Sequence, residues 1–191
     1  MPSPRIVRSL AVAAVLTTAA GGTVTTVSAN ARTGATTSAA ATTTTLRLDG
    51  IGPLKLGMTR TAALRTGWLS NPGKGCELGG PPLPVVYRLK GKAAPSGVSG
   101  TVQFDRGKLT VMSFDTGVTT AANVTVGVTT VSQMVARYRA KGLKAKATFD
   151  STFGGTFVEV SRTTGGQSVI GAFAAGKRIT SLALPTVPVC E

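Results

Sequence analysis

From Val131 onward, apolar side chains return at helical spacing. Val131, Met134, Val135 and Tyr138 stand at i, i+3, i+4 and i+7, which draws one stripe down a helix. Thr130-Val131-Ser132-Gln133 opens that stripe with the residues of a capping box, in which the threonine hydroxyl takes the N3 amide and the glutamine returns to the cap amide. Arg137, Arg139 and Lys141 suit the negative end of the dipole, and Gly142 suits the C-terminal cap. A shorter version precedes it. Thr59 is the matching cap, with Leu64 and Trp68 in the columns of Met134 and Tyr138, and Gly67 shortens the helix at a cost of about 1 kcal/mol. Trp68 and Tyr138 therefore read as helix residues packing on a sheet rather than as ligand contacts.

After each helix the period changes from 3.6 to 2. Residues 85–90, 98–104 and 109–114 are apolar-rich runs bounded by Gly, Pro and Asp, and 156–160, 168–173 and 179–184 follow in the second half. Asp105-Arg106-Gly107 and Ala175-Gly176 are tight-turn signals, since glycine supplies positive φ. Each half predicts a helix followed by an antiparallel meander. The fold class is α+β, with the helix covering one sheet face and the other face open to water.

The two halves also echo one another in wording. Leu54-Lys55-Leu56-Gly57-Met58-Thr59 returns as Val124-Thr125-Val126-Gly127-Val128-Thr129, 70 residues later. Independently, Phe104-Asp105-Arg106-Gly107-Lys108 returns as Phe173-Ala174-Ala175-Gly176-Lys177 at a spacing of 69. Two echoes at nearly one spacing predict an internal duplication, with modules at 46–118 and 119–191 forming one extended sheet surface.

The ends bound the folded part. Arg5 and Arg8, an apolar or small stretch from Leu10 to Ala20, and small residues at Val27-Ser28-Ala29 or Ala29-Asn30-Ala31 predict a secretory signal peptide over 1–31. The alternative is an uncleaved anchor, which needs about 20 apolar residues; Thr17 and Thr18 interrupt the run. No other segment has the pattern of a span, so the expected location is secreted or extracellular, with association to the cell envelope as a variant. Residues 32–45 are a Thr/Ala-rich stretch without apolar periodicity, expected to be a flexible tether, with a sugar-bearing stalk as the sharper alternative.

Charge narrows the partners. The chain of 191 residues carries 21 Lys plus Arg against 7 Asp plus Glu, a net +14. Such a surface attracts anionic wall polymers, lipid head groups or nucleic acid. One dense run exists, Arg137, Arg139, Lys141, Lys144 and Lys146, without the aromatic interleaving that stacks bases. It is a candidate polyanion site or a solvated helix face. Cys76 and Cys190 are the two cysteines of an exported chain and are expected to form one disulfide, worth roughly 4 to 5 kcal/mol in the chain-entropy account. Two isolated thiols are the alternative.

The chemistry of enzymes is sparse. With no His, Ser-His-Asp and Cys-His hydrolases are excluded and the commonest transition-metal ligand is absent. No P-loop or dinucleotide-binding glycine motif occurs. Carboxylates for glycoside chemistry exist in Glu77, Asp105, Asp115, Asp150 and Glu159. Asp105 belongs to a turn and Asp150 precedes a glycine loop, so surface structure accounts for them. No cofactor, metal site or catalytic residue is expected, and the chain is expected not to be an enzyme.

An apolar-x-apolar-Gly-Met-Thr run opening a helix once per half resembles the tandem modules of the secreted β-lactamase inhibitory protein family. It is similar as well to the related SmpA/OmlA-like module of outer-membrane assembly lipoproteins. Leu54-Lys55-Leu56-Gly57-Met58-Thr59 carries the likeness, and Val124-Thr125-Val126-Gly127 repeats it until Val128 replaces Met. The resemblance implies two helix-plus-sheet modules aligned into one concave surface that grips a protein partner. The chain departs from the family in its aromatics, 5% of residues, and in having no cysteine pair within each module. The expected function is a secreted, inhibitor-like binding module that recognises an unidentified secreted or envelope protein through its exposed sheet face. Tyr87, Gln103 and Phe157 are the candidate contacts. The alternative is an envelope protein held to anionic polymers or lipids by its basic surface.

Overall fold

Each helix starts where a threonine hydroxyl stands in for a missing carbonyl. Thr59, in extended backbone, accepts from the Ala62 amide at 3.3 Å and opens α1 (Arg60–Arg65). Thr130 opens α2 (Val131–Ala140) with both halves of the expected box, accepting from the Gln133 amide at 3.3 Å while its own amide donates to Gln133 Oε1 at 3.0 Å. These belong to a computed structural model that describes residues 44–75 and 83–189. The expected leader, the tether as far as residue 43, and Cys76 and Cys190 with their expected disulfide lie outside the described residues.

The helices repeat with an offset that the sequence echo conceals. Ala63 and Met134 are the buried residues four places after the caps, whereas Leu64 is 41% exposed. The second copy carries one more residue between its glycine and its cap, so a 70-residue shift sets Leu64 on Met134 one position out of helical register. Trp68 is buried as expected but lies beyond the six-residue α1, its ring stacked over Gly52.

Among the described residues the sheets comprise β1 (Thr44–Arg47), β2 (Gly50–Ile51), β3 (Leu54–Lys55), β4 (Ser70–Lys74), β5 (Val85–Arg88), β6 (Ser99–Asp105), β7 (Lys108–Thr116), β8 (Val118–Thr120), β9 (Lys144–Asp150), β10 (Gly155–Ser161), β11 (Ser168–Ala174) and β12 (Ser181–Leu184). A small sheet runs β3-β2-β1-β8, with β1 parallel to β8. The large one runs β4-β5-β6-β7-β12-β11-β10-β9, antiparallel throughout. The protein is thus a sheet-rich mixed fold with two helices. The last two residues of the expected tether, Thr44 and Thr45, belong to β1, where they pair with Val118 and Thr119. Six expected strands are present as β5, β6, β7, β10, β11 and β12; the small sheet and the edge strands β4 and β9 were not anticipated.

The glycine of each echoed motif has a job in this frame. Gly57 and Gly127 sit at φ 79° and 77°, where a side chain is strained. Their amides donate to Leu109 O and Ile179 O, each at 2.8 Å. The first helical amides, of Arg60 and Val131, donate to Gly107 O and Lys177 O at 2.9 and 3.0 Å. Both helix starts are therefore tied to the segment just before, or opening, the last strand of their own half.

The core is continuous across the middle of the large sheet. Met112 and Phe114 on β7 face Leu184 and Leu182 on β12, and all four are fully buried. Each such side chain contributes roughly 1.5–3 kcal/mol of transfer free energy. Leu182→Ala should cost about 2–5 kcal/mol through the transfer and cavity terms together. Urea unfolding followed by Trp68 fluorescence checks it: the tryptophan lies in the other half of the chain, and a shared core shifts its transition in step with the circular dichroism.

Tyr138 is 3% exposed, and its hydroxyl has no hydrogen-bond partner of ordinary geometry among the described residues. Burial pushes its pKa up, offset in part by the Thr120 hydroxyl beside it. An unfolded tyrosine ionises near pH 10 and the folded one resists. Its contribution to stability is therefore complete below about pH 10 and is lost as pH rises through the folded value. Urea midpoints measured at about pH 8 and about pH 10.5 should fall further for the wild type than for Tyr138→Phe, the difference isolating this group from the titrating lysines.

Candidate functional site

Alternation along the strands sorts the large sheet into two faces. On β10, Val158 and Val160 are buried on the side where α2 packs, so Phe157 and Glu159 look away from it. Cross-strand pairing carries Glu159 over the whole sheet: Lys146, Glu159, Gly171, Ala183, Ser113, Thr101, Arg88 and Ser70 stand side by side on eight strands. One row towards the N-terminal end of β10 come Phe157, Phe173 and Ser181; one row the other way come Val111, Gln103 and Val86. In the first half this face is polar with half-buried aliphatics, and the Ser113 hydroxyl is buried on it without a partner among the described residues.

The second half of the face is aromatic. Phe157 and Phe173 lie 5.0 Å apart between ring centroids, and Phe153 meets Phe157 edge-on at 5.6 Å. All three rings are half-buried. Gly155 makes this possible, since a Cβ there would stand 2.3 Å from the tip of the Phe173 ring. The chain beyond β12 joins them. Ser168 Oγ donates to Pro185 O at 3.0 Å, and the backbone at Val187 crosses Gly171 so closely that a Cβ there would lie 2.7 Å from the Val187 nitrogen. A cleft of about 280 Å³ results, walled by the three rings, Ser181 and residues 187–189. The sheet face expected to be open is thus partly covered, and Gly171 and Ala183 are buried beneath that segment.

The candidate contacts separate accordingly. Gln103 and Phe157 are on this face, on strands divided by β7, β12 and β11. Tyr87 is not: it pairs with Val102 on the core side, packs edge-on against Phe104 at 5.6 Å and is buried. Phe153 and Phe173 were missed by sequence reasoning. Their signal was the Gly154-Gly155 pair between two phenylalanines, which read only as a loop.

The basic run does not converge on one surface. Arg137 donates to Asn123 O and, at 3.4 Å, to Thr129 Oγ1, and Arg139 gives Ala145 O two hydrogen bonds at 3.1 and 2.8 Å. Those guanidinium groups tie α2 to the chain on either side of it. Lys141 is the helix C-cap, while Lys144 and Lys146 belong to edge strand β9, so the run is not one helix face. Lys146 stands opposite Glu159. Among the carboxylates, Asp150 accepts from the Thr152 amide at 2.8 Å in a turn, Asp105 lies 4.0 Å from Arg106, and partial burial raises Asp115 above its ordinary value.

No protein-family model, curated protein or solved structure matches this chain. The resemblance to the inhibitory-protein family therefore rests on the two glycine motifs. Among the described residues no cluster of three or more His, Cys, Asp and Glu is placed to hold a metal, and no helix is long and apolar enough to cross a membrane.

Gly155→Ala should displace the Phe173 ring at a cost of about 1–3 kcal/mol, the usual range for overfilling a packed site. Ring-proton NMR of Phe157 and Phe173 reads the displacement directly. Unchanged shifts would show that the two rings do not depend on that glycine.

Proposed function

We propose that this chain is a secreted, non-enzymatic binding module, inhibitor-like in its mode of action, built from two tandem helix-plus-sheet copies that present one surface to a protein partner. The hydrogen bonds that recur at Gly57 and Gly127, and at Arg60 and Val131, support the duplication. So does the strand order, in which β4–β7 and β9–β12 are laid out as mirror-ordered sets joined at β7 and β12.

The observation that carries the binding role is the cluster of Phe153, Phe157 and Phe173 on a sheet face otherwise lined by polar and small side chains and half-buried aliphatics. Half-exposed aromatic rings held rigid by their neighbours lose little entropy on binding, and such residues dominate interface energetics. The exposed Glu159 on β10 supplies a polar group beside it, and the exposed Arg88 lies further along the same row of the face. A few aromatics suffice when they are gathered in one place, which answers the low aromatic content.

The test is capture of partners from culture fluid and envelope of the producing cells by immobilised protein, washed at about 0.15 M and then about 0.5 M salt. A discrete protein should survive the high-salt wash and be lost, by at least tenfold in affinity, with Phe157→Ala together with Phe173→Ala, a loss of hot-spot size. Retention that collapses with salt, resists the aromatic changes and fails with Lys144→Glu together with Lys146→Glu would favour binding to anionic envelope polymers or lipids instead.

A further inference from the structure

β9 is the last strand of the large sheet, and its outer edge is unpaired among the described residues. Ala145 O accepts two N–H groups of Arg139, at 3.1 and 2.8 Å. A carbonyl filled from α2 in this way is turned away from β10. Backbone groups alternate in direction along an antiparallel ladder, so those of Ala147 and Phe149 face outwards with it.

The side chains of this edge divide by face. Ala147 and Phe149 pair with Val158 and Thr156 and so lie on the α2 side. Phe149, 67% exposed, is the most exposed large apolar side chain among the described residues. Ala147 walls an open groove of about 660 Å³ against Val131, Val135 and Ala136 of α2. On the other face stand Lys146, Thr148 and Asp150. Lys146 forms no ion pair among the described residues, and Asp150 spends one oxygen on the Thr152 amide at 2.8 Å.

A two-fold axis through the sheet preserves each residue's face, so β9 can meet a second β9 only in registers centred on one residue. Centring on Lys146 sets lysine against lysine. Centring on Ala147 requires Ala145 O, which Arg139 already fills. Centring on Phe149 leaves Lys146 without a carboxylate. Centring on Thr148 satisfies every group at once: Ala147 exchanges both backbone hydrogen bonds with Phe149 of the second copy, and each Lys146 stands opposite an Asp150. Thr148 then meets Thr148, and each Phe149 ring lies over the other copy's Ala147 and its groove.

We propose that this protein forms an isologous dimer by antiparallel pairing of β9 with β9 of a second copy, centred on Thr148. The lysines of this edge turn away strands that carry no matching carboxylate, and a second copy carries one. The contact uses the sheet edge and not the aromatic face, so it holds or fails independently of the protein partner proposed there.

Sedimentation velocity of the full chain at about 0.3 M salt, where the repulsion of two basic copies is largely screened, tests the proposal. A dissociation constant on the order of 10–100 µM is expected for so short a contact. Phe149→Ala should weaken it at least tenfold. Ala147→Pro should abolish it while leaving the circular dichroism of the monomer unchanged, since the lost N–H faces outwards. Asp150→Asn keeps the acceptor for the Thr152 amide and should weaken the dimer roughly fivefold through two exposed charge pairs. Lys146→Glu should abolish it, and Lys146→Glu combined with Asp150→Lys should restore it. Thr148→Cys should give a reducible crosslinked dimer under mild oxidation, because that residue meets itself across the axis, whereas Lys144→Cys should not. A chain that stays monomeric up to about 1 mM, or a dimer indifferent to Phe149→Ala and Ala147→Pro, would overturn the proposal.

Discussion

The rest of the structure depends on the antiparallel contact between β7 and β12. These are the last strands of their respective runs, and their pairing at Met112, Ser113 and Phe114 turns two four-stranded meanders into one sheet. Because strand side chains alternate, that single register decides both faces at once. Phe114, Leu182, Met112 and Leu184 meet on the helix side and close a common core. Ser113 and Ala183 meet on the other side and make one surface from two. Without this contact each meander would end in an exposed edge strand, the configuration that sheet proteins avoid.

The sheet's outer edges are handled differently. β4 carries Pro72, a register shift and Asn71 at φ 32°, all of which interrupt the ladder an incoming strand would need. β9 has no such interruption and relies on Lys144 and Lys146 projecting from it, with the guanidinium of Arg139 securing Ala145 O. Part of the large positive charge is thus accounted for by local structure. Arg137 and Arg139 do backbone work, and Lys144 and Lys146 protect an edge.

What the chain revealed in advance follows from the range of the forces involved. α2 was legible because its box, stripe and terminal glycine lie within a dozen residues and all agree. The six expected strands were legible because apolar alternation and turn residues delimit them. β4 was hidden because Ser-Asn-Pro-Gly-Lys has the composition of a loop and is a strand only through its partner β5. β9 was hidden because Lys-Ala-Lys-Ala-Thr-Phe-Asp continues the basic stretch of α2, and only Ala145 in it is buried. The misplacement of Leu64 has another cause. Gly57 and Gly127 align at 70 residues, but one added residue before Thr130 moves everything after it by 100° around the helix.

The candidate face was only partly legible in its residues, and the difference comes from parity. Tyr87 is one position away from Val86, which does lie on the outward face, so a sound strand assignment still sends Tyr87 to the core when the face is taken wrongly. Phe157 was on the right side, yet what gives it significance is non-local. Gly155 clears space for Phe173, Phe173 supports Phe157, and the segment through Val187 walls the cleft beside them. These three contributions come from different strands, and only the folded pairing assembles them. An aromatic count over the whole chain therefore understates the capacity of this face, because recognition depends on local density and rigidity rather than on composition. The same sheet register that unites the two cores thus also fixes where the aromatic rings gather.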